Sequence, residues 1–171
     1  MSTPSERQSA EDRFAQVFGH LPAVVAYARR RGSTDPEAVG GETMAIAWRR
    51  LADVPVADPR PWLIATARHL VWEEWRRRSR THAGPEPTAD AGFRETGLDP
   101  DLERALRSLS YEEREAVLLV AWDDLTPAQA ARCLGITAVA FRVRLHRARR
   151  RLRTALERTG IESSDLEMGH A

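Results

Sequence analysis

The stretch from Leu125 to Leu152 leaves a polypeptide little choice of fold. Thr126 is a good helix N-cap and Pro127 suits a first helical turn, where an amide proton has no partner. Gln129 completes a T-x-x-Q capping box. Ala130 and Ala131 are small enough to let two helices cross closely, and Gly135 stands where a left-handed residue would end the short helix. Ile136 then fills the turn and Thr137 caps a second helix. In that helix Phe141, Leu145, Ala148 and Leu152 recur at steps of four, three and four, which makes one buried stripe. The pattern predicts a helix-turn-helix.

The rest of the second helix is basic. Arg142, Arg144, His146, Arg147, Arg149, Arg150 and Arg151 occupy its other faces, and from Arg132 to Arg153 there are eight arginines and no acid. The net charge of +1 hides this segregation; all 26 basic residues are arginine, whose planar fork matches phosphate oxygens. A second cluster, Arg76, Arg77, Arg78 and Arg80, lies in the first half, while acids gather elsewhere, as at Glu112, Glu113 and Glu115. Two basic patches are the footprint of a polyanion binder, although solvated helix faces can look the same. A helix-turn-helix sets the start of its second helix against base edges and later side chains against phosphates. Thr137, Ala138, Arg142 and Arg144 are therefore the candidates near bases, and Arg147, Arg149 and Arg150 the candidates for phosphate. A helical hairpin with an arginine-rich solvent face is the competing account; the capping signals, Gly135 and the lack of acid weigh against it.

Elsewhere the chain also reads as helical. Phe14, Val17, Phe18, Leu21, Val24, Val25 and Ala28 share one face, with Pro22 expected to kink or split that segment. A second helix is expected from Asp35-Pro36 to about Leu51, with Thr34 and Glu37 at capping-box spacing. A third, from about Asp58, carries Leu63, Ala67, Leu70 and Val71 before the arginine cluster. Thr81 to Asp99 is rich in Gly, Pro, Thr and Ala, lacks helical period and reads as a linker with Phe93 its one large anchor. Beyond it come a short helix opening at Asp99-Pro100, with Leu102, Leu106 and Leu109, and a helix led by a Ser110–Glu113 capping box. The expected architecture is all-α: a helical bundle over residues 1–80, a flexible linker over 81–98, a helix-turn-helix domain over 99–158 and a frayed tail over 159–171.

Several function classes fall away. No apolar run approaches the roughly 18 residues of a membrane span, so no membrane insertion is expected. Met1 to Asp12 lacks the apolar core of a secretory signal, and the single Cys133 allows no internal disulfide; the expected compartment is the cytoplasm. Cys133 reads as a small buried residue. His69 and Glu73 are one helical turn apart, but no further ligand is spaced to complete a metal site, so neither metal nor cofactor is expected. No phosphate loop, nucleophile elbow or paired carboxylate suggests an enzyme.

The third helix interleaves Trp62, Trp72 and Trp75 with Arg68, His69, Arg76, Arg77, Arg78 and Arg80. Such a surface can stack on unpaired bases while holding their backbone, although tryptophans at helical spacing are commonly core. Ahead of it Ala52 to Pro61 (ADVPVADPRP) is a proline-stiffened loop able to present polar groups to one extruded base.

With these residues the chain resembles a known family. Pro61 to Arg80 (PWLIATARHLVWEEWRRRSR) is similar to the W-L-x-x-x-A-R-N-x-x-x-D-x-x-R-R segment of extracytoplasmic-function sigma factors. Asp35 to Trp48 (DPEAVGGETMAIAW) is similar to their D-A-E-D-L-V-Q-E-T-F-x-x-A-W segment, and Leu106 to Leu152 to their fourth conserved region. The resemblance implies core RNA polymerase, promoter DNA and an inhibitory anti-sigma protein as partners. It implies an N-terminal domain that docks on the polymerase clamp and melts the minus-ten element, and a C-terminal domain that reads the minus-thirty-five element as duplex. By position the docking residues would be Glu37, Glu42, Thr43, Ile46 and Arg49. The loop from Asp53 to Arg60, including Asp58, would face the melted strand with Trp62, Arg68 and His69. Ala38 stands in place of the family's usual aspartate, Gly41 of glutamine, His69 of asparagine and Glu73 of aspartate, so altered polymerase contacts and base preference are expected. The alternative is a helix-turn-helix regulator that reads duplex DNA without docking on polymerase.

Overall fold

A computed structural model describes residues 4–81 and 98–159, all helix, turn and connecting chain, with no strand among them. The chain divides into two compact units at Gly84–Pro85. The expected linker, with Phe93, and the expected tail lie almost wholly outside the described residues.

In the first unit the amphipathic run breaks in two: α1 spans Pro4–Phe18 and α2 spans Leu21–Arg30. The break falls at Gly19-His20, and Pro22 sits in the first turn of α2, where its missing N–H costs nothing. α3, Pro36–Arg49, starts at Asp35, whose carboxylate accepts from the Ala38 amide at 2.9 Å. The expected Thr34–Glu37 box does not form, because Glu74 binds both the amide and the hydroxyl of Thr34 and Glu37 pairs with Arg29 at 2.7 Å. α3 ends two residues before the expected Leu51, which opens a single 3-10 turn, Leu51–Asp53. α4, Arg60–Thr81, begins after the proline-rich loop.

Val24, Tyr27, Ala28, Val39, Met44, Ala47, Val54, Leu63, Ile64 and Ala67 form the core of this unit. Gly40 sits inside it. A Cβ there would lie 2.6 Å from Val25 Cγ2 and 2.9 Å from Leu21 Cδ1, so the missing side chain is what lets α2 and α3 approach. Arg31 closes one side of the core, its guanidinium 4.4 Å from the Tyr27 ring centroid. Glu74 fastens α4 to the α2–α3 turn, accepting from the Ser33 hydroxyl at 2.7 Å and the Thr34 amide at 2.8 Å. Burial pushes the Glu74 pKa up, but the Thr34 and Ser33 hydrogen bonds and the nearby Arg78 charge outweigh it and leave the pKa below the usual carboxylate value.

The second unit holds α5 (Pro100–Arg107), α6 (Tyr111–Ala121), α7 (Pro127–Leu134) and α8 (Ala138–Thr159). Asp99 caps α5, and the Ser110–Glu113 and Thr126–Gln129 capping boxes both form. Gly135 adopts φ 65°, ψ 30°, and the Ile136 amide reaches back to the Ala131 carbonyl at 3.0 Å, so the turn closes as the glycine and its neighbours predict. α6 is the central helix, covered nearly all round: Ala116, Leu118 and Leu119 are buried, and so are the charged Glu113, Arg114 and Glu115. Phe141, Leu145, Ala148 and Leu152 form the expected buried stripe of α8, extended by Leu156.

Candidate nucleic-acid interface

The helix-turn-helix is built by local chemistry. Thr137 Oγ1 accepts from the Ala140 amide at 3.1 Å and so starts α8 where α7 and its glycine turn deliver the chain. Because the stripe from Phe141 to Leu156 is buried, the opposite side of α8 faces outward. Arg142, Arg147, Arg149 and Arg150 are exposed, and none of the four is paired with an acid among the described residues. Their charges are available to a polyanion. Thr137 is exposed beside the N-terminus of α8 and Ala138 is half-buried in its first turn. Arg144 is half-buried and lies toward the flank of the helix, so it is less well placed for base edges than its number suggests. Arg151 is engaged within the unit, reaching Glu113 at 2.9 Å.

The centre of the outward face is different from the arginine list. Counting at 3.6 residues per turn, the residues opposite the stripe are Val139, Val143, His146 and Arg150, flanked by Arg147. Val139 and Val143 are 66% and 45% exposed. Sequence reading passed over them because it searched for charge; their position opposite Phe141–Leu145 was the available signal.

In the first unit a recess of about 330 Å³ opens between α3 and α4. Ile46, Arg50, Trp62, Ala65, Thr66, His69 and Leu70 line it. The Arg50 guanidinium lies 5.9 Å from the Trp62 ring centroid, and His69 Nε2 lies 3.2 Å from Glu73 Oε1. Trp62 and His69 are brought together as expected, whereas Arg50 and Thr66 were not singled out from sequence. Ile46, expected on the docking surface, also lines this recess. Asp58, Arg60 and Arg68 are half-buried and each makes contacts within the protein. Arg76 and Arg77 are exposed near the end of α4; Arg80 falls where the side chain lies outside the described residues. Trp72 and Trp75 stack on each other, ring centroids 5.6 Å apart at 28°, and both are half-buried. The loop before α4 is held to α1 by Arg13, which donates to the Val54 carbonyl at 2.5 Å.

The expected docking residues do not all reach the surface. Glu37, Glu42 and Arg49 are exposed, with Arg49 and Glu42 paired at 3.1 Å. Thr43 is fully buried and its hydroxyl donates to the Val39 carbonyl at 2.7 Å, because the period of α3 turns it into the core; it cannot touch a partner directly. Ala38 and Gly41 lie on the exposed side with Glu37 and Glu42. Next to them is a feature the sequence reading did not single out. Phe14, Phe18, Met44, Ala45 and Trp48 line an open groove of about 600 Å³ between α1 and α3. Phe18 and Trp48 are 48% and 47% exposed. No group of three or more His, Cys, Asp or Glu that could hold a metal occurs among the described residues, and none of their helices is long and apolar enough to cross a membrane.

Residues 100–152, from the start of α5 into α8, match the family model for sigma-70 region 4. An RNA polymerase sigma-E factor of Streptomyces antibioticus is 29% identical over 125 residues, covering 70% of this chain and 68% of the relative. The match therefore reaches beyond region 4 into the first unit. Across both units the chain is similar to extracytoplasmic-function sigma factors. A sigma factor of that class from Mycolicibacterium smegmatis, SigE, is 28% identical over 151 residues, 82% of this chain and 59% of its own. The fold is also similar to that of RpoE from Bartonella quintana, solved with the anti-sigma factor NepR, at a TM-score of 0.66 and 25% identity over 86% of this chain and 98% of the other. CnrH, solved with the cytosolic domain of CnrY, matches at a TM-score of 0.61 and 25% identity, covering 86% of this chain and 94% of the other.

Proposed function

We propose that this chain is a sigma factor that directs core RNA polymerase to promoters by dividing DNA recognition between its two units. The single observation that carries the reading is the acid-free, outward-facing arginine side of α8 on a region 4 helix-turn-helix. The second unit binds the minus-thirty-five element as duplex: α8 enters the major groove, its first two turns meet base edges, and Arg147, Arg149 and Arg150 neutralise phosphates.

The first unit binds the melted minus-ten strand. Opening a duplex to expose one base costs a few kcal/mol, and stacking on an aromatic side chain returns roughly 1–3 kcal/mol. The recess between α3 and α4 suits that role. Trp62 supplies the stacking face, His69 and Thr66 supply polar atoms for a base edge, and Arg76 and Arg77 supply positive charge for the backbone, while Arg50 is paired with Asp53 at 2.9 Å. Glu37, Glu42 and Arg49, with Ala38 and Gly41 between them, form the surface that docks on polymerase. The protein acts through binding energy and breaks no covalent bond; it works in the cytoplasm, where polymerase and promoters are. An anti-sigma protein restrains it, as the partners of the RpoE and CnrH structures suggest.

Run-off transcription tests the proposal. Bacterial core polymerase with this chain, on fragmented DNA of the source genome, yields discrete transcripts absent without it. Duplex binding with no new transcript would instead favour a regulator that never docks on polymerase.

A further inference from the structure

The outward face of α8 carries two exposed valines where a reader of base edges by hydrogen bonding would carry polar groups. Val139 and Val143 are four residues apart, in the first two turns after the Thr137 cap, and are among the few large apolar side chains left exposed. Valine is a poor helix former, so an exposed pair weakens α8 without adding to the core. Arg147 and Arg150 flank the pair, and no acid occurs in α8 before Glu157. A nonpolar partner surface is a poor match for apolar spots set in unneutralised arginine charge; the major groove of duplex DNA matches both.

Valine cannot donate or accept a hydrogen bond. The only apolar group that distinguishes one base pair from another in the major groove is the C5-methyl of thymine. We infer that Val139 and Val143 are specificity-determining residues that read thymine methyl groups within the duplex element bound by α8. The inference rests on the duplex reading proposed above. Four residues of helix span about 6 Å and successive base pairs about 3.4 Å, so the two methyls lie one or two base-pair steps apart, on either strand.

Deoxyuridine tests this directly, because it differs from thymidine only by the methyl. The full chain assembled with bacterial core polymerase selects duplexes from a randomised library. The selected site is resynthesised with deoxyuridine at one thymidine position at a time. At two positions the replacement weakens binding about fourfold, the worth of one buried methyl. One of the two sensitivities disappears in Val139→Ala and the other in Val143→Ala, both exposed positions where alanine favours the helix. A site bound with sharp sequence preference yet indifferent to every deoxyuridine overturns the valine assignment and leaves duplex reading by α8 standing. If the assembled complex selects no duplex sequence at all, the underlying reading fails and the valine assignment falls with it.

Discussion

Two neighbouring glycines in α3 offer a sharp test of how the first unit is packed. Gly40→Ala and Gly41→Ala make the same chemical change one residue apart in the same helix. Each gains the same helix propensity, about 1 kcal/mol. At Gly41 the new Cβ meets nothing within 4 Å, so that gain is kept and the variant is stabilised by about 1 kcal/mol. At Gly40 the Cβ would sit 2.6 Å from Val25 Cγ2 and 2.9 Å from Leu21 Cδ1. Ordinary carbon contacts lie near 3.5–4.0 Å, so the overlap is about 1 Å. Leu21 can swing its terminal methyl aside. Val25 cannot do so cheaply, because a β-branched side chain in a helix has one strongly preferred rotamer. Overpacking of this kind costs about 1–3 kcal/mol. The propensity term cancels in the difference between the two variants, which leaves that overpacking cost as the measured gap. With a urea m-value near 1 kcal/mol/M, the midpoints should differ by roughly 1 M or more. Urea unfolding of the full chain in a Trp122→Phe background, read by tryptophan fluorescence, follows the first unit through Trp48, Trp62, Trp72 and Trp75. Equal stabilisation by both substitutions would refute the close approach of α2 and α3.

Replacing Arg147, Arg149 and Arg150 together with alanine should weaken duplex binding and flatten the log–log salt slope by about 2.7, read from titrations of binding against salt. Trp62→Ala should leave minus-thirty-five duplex binding unchanged while abolishing promoter opening, read by the reactivity of unpaired thymines to permanganate. Glu74→Gln should cost about 1–2 kcal/mol at pH 7, because charge-assisted bonds from Ser33 and Thr34 weaken. The Glu74 pKa is lowered in the folded state, so its stabilisation is full above the unfolded value near 4.3 and is lost as pH falls toward the folded one; thermal melts should show the variant and parent converging in acid. Ala38→Asp with Gly41→Gln, which restores the side chains usual in the family at two exposed positions, should tighten binding to core polymerase in a competition assay against the parent chain.

Much of the fold was legible because it is written in local chemistry. The Ser110–Glu113 and Thr126–Gln129 boxes, the left-handed Gly135 and the Phe141–Leu152 stripe each depend on residues within one or two turns, so their spacing in sequence carries over directly. What sequence reading missed depends on partners far along the chain. Thr34 is no helix cap because Glu74, forty residues later, takes both its hydrogen-bonding groups. Phe14 and Phe18 share a face with Val17 and Val24, yet they border an open groove, because periodicity says which side of a helix is apolar and not whether another helix covers it. Thr43 was carried to the surface by family position, while the turn of α3 puts it at 0% exposure.

The two surfaces proposed to read DNA differ in the same way, one resting on local and the other on distant constraints. A duplex presents a rigid groove, and one capped helix with a buried stripe is enough to meet it; everything α8 needs lies between Thr126 and Leu156. A melted strand has no fixed groove, so its binding surface must itself supply a concave shape. That recess draws Ile46 and Arg50 from one side of the proline-rich loop and Trp62, Thr66 and His69 from the other. Its shape depends on how α3 meets α4, which Glu74 sets at one end through Ser33 and Thr34. Weakening the Glu74 anchor should therefore impair promoter opening more than duplex binding, although Glu74 neither lines the recess nor lies on α8.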